Sequence, residues 1–165
     1  MSDVQAISLT EVYKGWEVYQ NHLLQATRPL TAEQLKLRAV PHLRSMGELI
    51  AHIIGCRAGW YHYVMGEGGP EMKQMADWDL GRAGLFTAAD LVHGLEVTWE
   101  TMWTCLGRWT ASSADLEHVY TWEYEGKTYT YTRQYIVWHV IEHDMHHGGE
   151  LGYSLGMYHL AAPDL

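Results

Sequence analysis

The chain has 165 residues, of which 47% are hydrophobic and 19% charged, a composition typical of a globular protein. Its formal net charge of -9 argues against nucleic acid as a partner, because proteins that bind phosphate backbones usually carry a basic patch. The N-terminus lacks the pattern of a signal peptide, and no apolar run approaches the roughly 20 residues that span a bilayer. We therefore expect a single domain over residues 1–165, cytoplasmic and without a membrane partner.

Four Ser or Thr residues are each followed three residues later by an acid or an amide, the capping-box pattern that begins a helix. The first predicts a helix to about Gln25, the second only a short turn, the third a helix to about Met65 and the fourth a helix to about Trp109. A last helix is expected from about Thr132 to Gly156. The four pairs are Ser8 and Glu11, Thr31 and Gln34, Ser45 and Glu48, and Thr87 and Asp90.

Each of the four long helices carries residues at three- and four-residue spacing that form a core-facing stripe. Histidines lie on this stripe in the second and fourth helices. The two cysteines also lie on it, and because they are too few and too far apart for a disulfide framework or a Cys-x-x-Cys metal site, we expect them to be small buried hydrophobes. The stripes comprise Val12, Trp16, Tyr19 and Leu23; Leu49, His52, Ile53, Cys56 and Trp60; Leu91, Leu95, Thr98, Met102 and Cys105; and Ile136, Val140, His143, His147 and Leu151.

The connection between the second and third long helices is glycine-rich and about twenty residues long, which is long for a compact domain. Such a crossover lets the third helix start parallel to the second, whereas a tight turn would make neighbours antiparallel. Residues 119–131, VYTWEYEGKTYTY, alternate aromatic, β-branched and polar side chains and predict a small β-hairpin before the last helix. The sequence therefore predicts an all-α fold, a four-helix bundle in up-down-down-up order with the second and fourth helices antiparallel.

Four of the eleven histidines fall within residues 138–150, WHVIEHDMHHGGE. Residues four apart on a helix lie about 6 Å apart, so His143 and His147 can direct nitrogens at one ion. His139 and His143 share this spacing, but His139 and His147 lie about 12 Å apart along the axis, too far to share an ion.

Depth along two antiparallel helices selects between these pairs. His52 lies about seven residues from the start of its helix, and His147 and His143 lie about nine and thirteen residues from the end of theirs. Those depths match. The predicted metal ligands are therefore His52, His143 and His147, while His139 and His146 are expected to support the site or face solvent.

Three neutral imidazoles leave a divalent ion with at least one open position, as in catalytic metal sites. Zn2+ is the first expectation, with Ni2+, Fe2+ and Mn2+ as alternatives, because imidazole suits all of them. Eight tryptophans and eleven tyrosines, among them Trp60, Trp99, Trp103, Tyr135 and Trp138, are expected mainly in the core, with some lining an apolar substrate pocket. No catalytic residue is assigned; the acids expected to orient ligands or transfer protons are Glu48, Glu142, Asp144 and Glu150.

The segments MGELIAHIIGCRAGWY and HVIEHDMHHGGELGYSLG resemble the DinB/YfiT-like superfamily of bacterial four-helix metalloproteins, and the resemblance covers essentially the whole chain. His143, His147 and Gly149 align with the H-x-x-x-H-x-G-Q pattern of that superfamily, whereas Glu150 replaces the Gln and Gly148 replaces an Arg often found there. The resemblance implies a metal-dependent transferase that uses a low-molecular-weight thiol, or a hydrolase, acting on a small molecule and commonly homodimeric.

Two other interpretations use the same histidines. The first is a non-catalytic metal-binding protein of a stress response. The second takes residues 143–147, HDMHH, as a variant of the H-E-x-x-H motif in which Asp144 activates water for peptide hydrolysis. A di-iron bundle is disfavoured, because the paired E-x-x-H sequences that such a core requires are missing from the sequence.

Overall fold

The computed structural model describes residues 6–80 and 86–163, which are mostly helical with one small antiparallel sheet. Short 3-10 turns occur at Gln34–Lys36 and Asp77–Leu80, and a π-helical turn, Gly59–Val64, continues the third helix. The helices are α1 (Leu9–Val12), α2 (Lys14–Thr27), α3 (Met46–Ala58), α4 (Pro70–Ala76), α5 (Ala88–Arg108), α6 (Ser113–Leu116) and α7 (Arg133–Met157), and the strands are β1 (Val119–Tyr124) and β2 (Lys127–Thr132).

The predicted helix starts at Ser45 and Thr87 are confirmed, because each side chain accepts a hydrogen bond from the third helical residue and receives the reciprocal bond. The predicted helix start at Ser8 is confirmed as well, because Ser8 directly precedes α1, but Ser8 lacks the capping box. Its hydroxyl bonds to Thr10 Oγ1 at 2.6 Å and makes no capping bond. The chain leaves helical geometry at Tyr13, so the predicted first helix is divided into α1 and α2.

The long connection after α3 contains a helix, α4, that was not predicted from the sequence. Helix α4 begins with Pro70, whose fixed φ suits the first turn of a helix. Met72 and Met75 from α4 are buried in the core, so the connection covers the bundle rather than only crossing it. The end of this connection, residues 81–85, lies outside the described residues.

The β-hairpin is confirmed. Strands β1 and β2 pair in register from Val119 opposite Thr132 to Tyr124 opposite Lys127. Glu125 and Gly126 both have positive φ, 49° and 74°, as a two-residue hairpin turn of the mirror-image type requires.

Helix α3 is the central element and packs against both α7 and α5. All five residues of the predicted α5 stripe are buried, as are Ile136, Val140 and Leu151 of α7. At Gly94 a side chain would come within 2.9 Å of Ile54, so the absence of a side chain permits close contact between α5 and α3. Val12 is 50% exposed and does not belong to the core, because α1 ends there.

The two cysteines are buried, as predicted. Burial raises the pKa of the Cys105 thiol to about 11, although Arg108 Nη2 donates to its sulfur at 3.0 Å and opposes the shift. In the described parts of the chain, no helix is long and apolar enough to cross a bilayer.

We expect both thiols to resist a soluble aromatic disulfide reagent at pH 8 in the folded protein. The raised pKa of Cys105 lowers its thiolate fraction by roughly two orders of magnitude relative to an ordinary thiol, and burial excludes the reagent from both cysteines. Absorbance of the released thiol should show no fast phase in buffer and two equivalents in urea. A fast native equivalent would contradict the burial of one cysteine.

Candidate metal centre

Three histidines from two helices meet at one point on the contact between α3 and α7. His52 Nε2 lies 3.0 Å from His143 Nε2 and 3.1 Å from His147 Nε2. The spacing of four residues places His143 and His147 one turn apart, so both reach the same partner. All three are half-buried, and each offers one ligand atom within 4.8 Å of the other two.

The separations between these nitrogens fit a shared metal ion. At about 2.0–2.1 Å from an ion, two imidazole nitrogens lie about 2.9 Å apart at a right angle and about 3.4 Å apart at a tetrahedral angle. The two measured separations fall in this interval. The donor set contains only imidazole nitrogen, which suits Zn2+ and several other first-row divalent ions.

The outer nitrogen of His147 is held by Glu150. His147 Nδ1 donates to Glu150 Oε2 at 2.7 Å. Burial lowers the pKa of His147 and the bond to Glu150 partly opposes this shift, while the same bond is the main cause of a lowered Glu150 pKa. A neutral His147 with its proton on Nδ1 presents the Nε2 lone pair that metal binding requires.

The other acids suggested by the sequence lie elsewhere. Glu48 is exposed, where it caps α3 through Ser45 and bonds to Arg38. Glu142 is exposed on α7. His146 is largely exposed, with Nε2 3.5 Å from Glu150.

Asp144 is fully buried and belongs to a polar network that sequence reasoning missed. Arg57 Nη2 donates to Asp144 Oδ2 at 2.7 Å, and Arg57 Nε lies 3.0 Å from both carboxylate oxygens. Trp16 Nε1 donates to the same carboxylate at 2.8 Å. Arg57 Nη1 reaches Gln20, which donates to the carbonyl of Leu95. The network joins α2, α3, α5 and α7, and it occupies the carboxylate that the H-E-x-x-H interpretation would need.

Comparisons with known proteins bear on the family and the fold of the chain. A family model described as the DinB family matches residues 1–155. The chain belongs to the DinB family. The fold resembles the crystal structure of a DinB-like protein from Bacillus cereus, with a TM-score of 0.72 at 17% sequence identity, covering 93% of this chain and 94% of that one. Comparison with curated proteins gives no match.

In this DinB-family chain, a ring of aromatic residues lies on one side of the histidines. His139 packs between Trp60, with ring centroids 4.8 Å apart, and Tyr135, at 6.0 Å. Tyr131 from β2 stacks on Tyr135 at 5.3 Å and meets Trp60 at 5.0 Å. His139 therefore contributes to an aromatic cluster next to His143 instead of joining the three converging nitrogens.

The remaining aromatic candidates lie apart from this cluster. Trp99 and Trp103 stack on one another at 5.0 Å, and Trp99 meets Trp16 edge-on. Trp138 is 60% exposed on the outer side of α7. Of the five aromatic residues named from the sequence, only Trp60 and Tyr135 belong to the aromatic cluster around His139.

Gly148 stands where the resemblance leads one to expect an Arg. A side chain at this position would collide with the Tyr19 hydroxyl and ring. The Tyr19 ring from α2 therefore occupies the space next to His147 that a larger residue would fill. The absence of a side chain at Gly148 therefore permits the contact between Tyr19 of α2 and α7.

Proposed function

We propose that this DinB-family protein is a metal-dependent enzyme in which His52, His143 and His147 bind one divalent ion, with Zn2+ the first choice and Ni2+, Fe2+ and Mn2+ as alternatives. The observation that supports it is the convergence of three imidazole nitrogens from two helices. A bound ion of this kind supplies Lewis-acid chemistry, lowering the pKa of water or of a low-molecular-weight thiol. The reaction would be thiol S-transfer or hydrolysis.

The protein's own residues have distinct parts in this proposal. The three histidines bind the ion, and Glu150 orients the His147 ring through its Nδ1 proton. The Arg57–Asp144 pair holds α7 against α3 one residue from His143. Trp60 and Tyr135 would line the approach of a small apolar substrate.

We further propose the up-down-down-up bundle as a single domain over residues 1–165. Its support is the order of contacts between helices. Later positions along α3 and the π-helical turn that continues it meet earlier positions in α7, as with His52 against His147 and Trp60 against His139. Between α2 and α5, Gln20 meets Leu95 and Trp16 meets Trp99, which also indicates an antiparallel pair.

A homodimer is proposed through the outer face of α7. Trp138 and Met145 are seven residues apart and expose apolar side chains on that face, at 60% and 38%. A two-fold axis would bury the same patch from both copies. Sedimentation velocity of the wild type and of Trp138→Arg tests this: a dimer is expected for the first and a monomer for the second, and a wild-type monomer would contradict it.

A cytoplasmic location of the protein stays a prediction.

The function is tested by turnover of metal-loaded protein against two substrate panels. One panel pairs small thiols with electrophiles, and the other contains activated esters and amides. We expect turnover in one panel that disappears in His143→Ala and persists in His146→Ala, since only the first removes a proposed ligand. A protein that holds metal but turns over neither panel would favour the non-catalytic metal-binding interpretation.

Replacing Glu150 with Ala is expected to weaken metal binding by roughly 10–100-fold, because His147 loses the partner that fixes its ring and tautomer. Glu150→Gln should restore part of this loss, since an amide oxygen still accepts from Nδ1. Competition against a fluorescent chelator measures the affinity. Glu142→Ala, which removes an exposed acid from the same helix, is the control, and an equal loss there would contradict the orienting role.

A further inference from the structure

We propose a second binding site, for a small monocarboxylate with an apolar body, in a cavity of about 440 Å3 on the Glu150 side of the histidines. The cavity lies between residues 39–44, the first turns of α3 and the C-terminal turns of α7. Its volume is in the range of roughly 300–1,000 Å3 common for small-molecule sites.

The wall of this cavity is apolar and exposed. Val40 and Leu43 on one side and Tyr153 and Met157 on the other are 38%, 50%, 71% and 47% exposed, while Leu49 forms the buried floor. Four large exposed apolar side chains facing one concavity are unusual on a surface without a ligand or partner. They would bury the apolar body of a ligand.

The two sides of the cavity are tied together before any ligand arrives. The Tyr158 hydroxyl, just beyond α7, donates to the carbonyl of Arg38 at 2.6 Å. Arg38 also forms an ion pair with Glu48 at 2.8 Å, a further contact between this segment and the first turn of α3. A cavity with fixed walls loses less conformational freedom on binding.

The charged side chains at the rim of the cavity, Glu150 and Arg44, determine which head group a ligand can have. The Glu150 carboxylate already accepts from His147 at 2.7 Å and lies 3.5 Å from His146, so its charge is engaged. Arg44 lines the cavity, and none of the ion pairs formed within residues 6–80 and 86–163 includes its guanidinium. A planar guanidinium without an ion-pair partner favours a carboxylate ligand, which it can bind with two parallel hydrogen bonds.

The cavity and the proposed metal centre share one wall, Glu150, but the inference does not depend on a metal. A ligand held by Arg44 would lie behind His147, on the side opposite its Nε2 atom. The test is therefore made on protein stripped of metal. Failure of the metal proposal and failure of this one can then be distinguished.

The experiment is a titration of isotope-labelled, metal-stripped protein with octanoate and with octan-1-ol, followed by amide chemical shifts. Both ligands are expected to shift residues 39–44 and 149–157 saturably. Arg44→Gln should weaken octanoate binding about tenfold and leave octanol unchanged, because only the carboxylate loses a charged hydrogen bond. Tyr153→Asp should weaken both, since it places a carboxylate in the apolar wall.

Arg28→Gln is the matched control, because Arg28 is an exposed arginine outside the cavity, paired with Glu96. It should change neither affinity. The proposal is overturned if neither ligand gives saturable shifts at the cavity, or if Arg44→Gln weakens octanoate no more than Arg28→Gln does. Equal weakening of octanoate and octanol by Arg44→Gln would show an apolar cavity without carboxylate selectivity, which also overturns it.

Discussion

Replacing Arg57 with Met is expected to lower the free energy of unfolding by about 3–5 kcal/mol, because it leaves the Asp144 carboxylate buried without its counter-charge. Both side chains are fully buried, so water cannot substitute for the lost partner. A loss of this size is a large fraction of the roughly 5–15 kcal/mol that stabilises an ordinary domain. Urea unfolding followed by circular dichroism measures it.

Arg28→Met is the matched control for this prediction. Arg28 pairs with Glu96 at 2.9 Å, much like the buried pair, but both side chains are about half exposed. Exposed pairs contribute at most about 1 kcal/mol, so this variant should unfold close to the wild type. Similar costs for the two variants would show that burial of the Arg57–Asp144 pair is not what stabilises the bundle.

Zinc is expected to stabilise the metal-stripped protein by about 2.7 kcal/mol at a free concentration one hundred times its dissociation constant. The folded chain presents three converging imidazole nitrogens, whereas the unfolded chain separates His52 from His143 by 91 residues. Thermal unfolding with buffered Zn2+ should therefore show a midpoint that rises with metal concentration.

The same titration on two variants separates specific binding from surface binding. His143→Ala removes one converging nitrogen, so its unfolding midpoint should no longer respond to zinc over that range. His146→Ala removes a largely exposed histidine from the next turn and should respond like the wild type. A midpoint in His143→Ala that still rises as in the wild type would mean that zinc acts elsewhere.

The histidine cluster was predictable because it follows from helical geometry. Spacing of four residues placed His143 and His147 on one face, and depth along antiparallel helices matched this pair, rather than His139 and His143, to His52. The structure brings His52, His143 and His147 together, whereas His139 packs with Trp60 and Tyr135.

The Arg57–Asp144 network was not predictable from local patterns. The two residues are 87 positions apart, and a charged residue within an apolar helix gives no indication of its partner until the helices are packed. From the sequence, Asp144 was a candidate to support the metal site or to activate water, because it directly follows His143 along the chain. On the helix, adjacent residues point in directions about 100° apart, so Asp144 faces Arg57 and Trp16.

Helix α4 was missed for a related reason. Its glycine-rich surroundings resemble a loop, and its stability comes from burying Met72 and Met75 rather than from a capping box. Gly69 followed by Pro70 was the available signal, because proline is favoured at the first helical position. Glu48 illustrates the opposite case, in which one local pattern correctly identified a capping residue.

The measurement that tests the central proposal most directly is elemental analysis of untagged protein, comparing the wild type with His52→Ala, His147→Ala and His139→Ala. We expect about one divalent metal per chain in the wild type and in His139→Ala, and none in the other two variants. No metal in the wild type after reconstitution, or loss only in His139→Ala, would contradict a site formed by His52, His143 and His147.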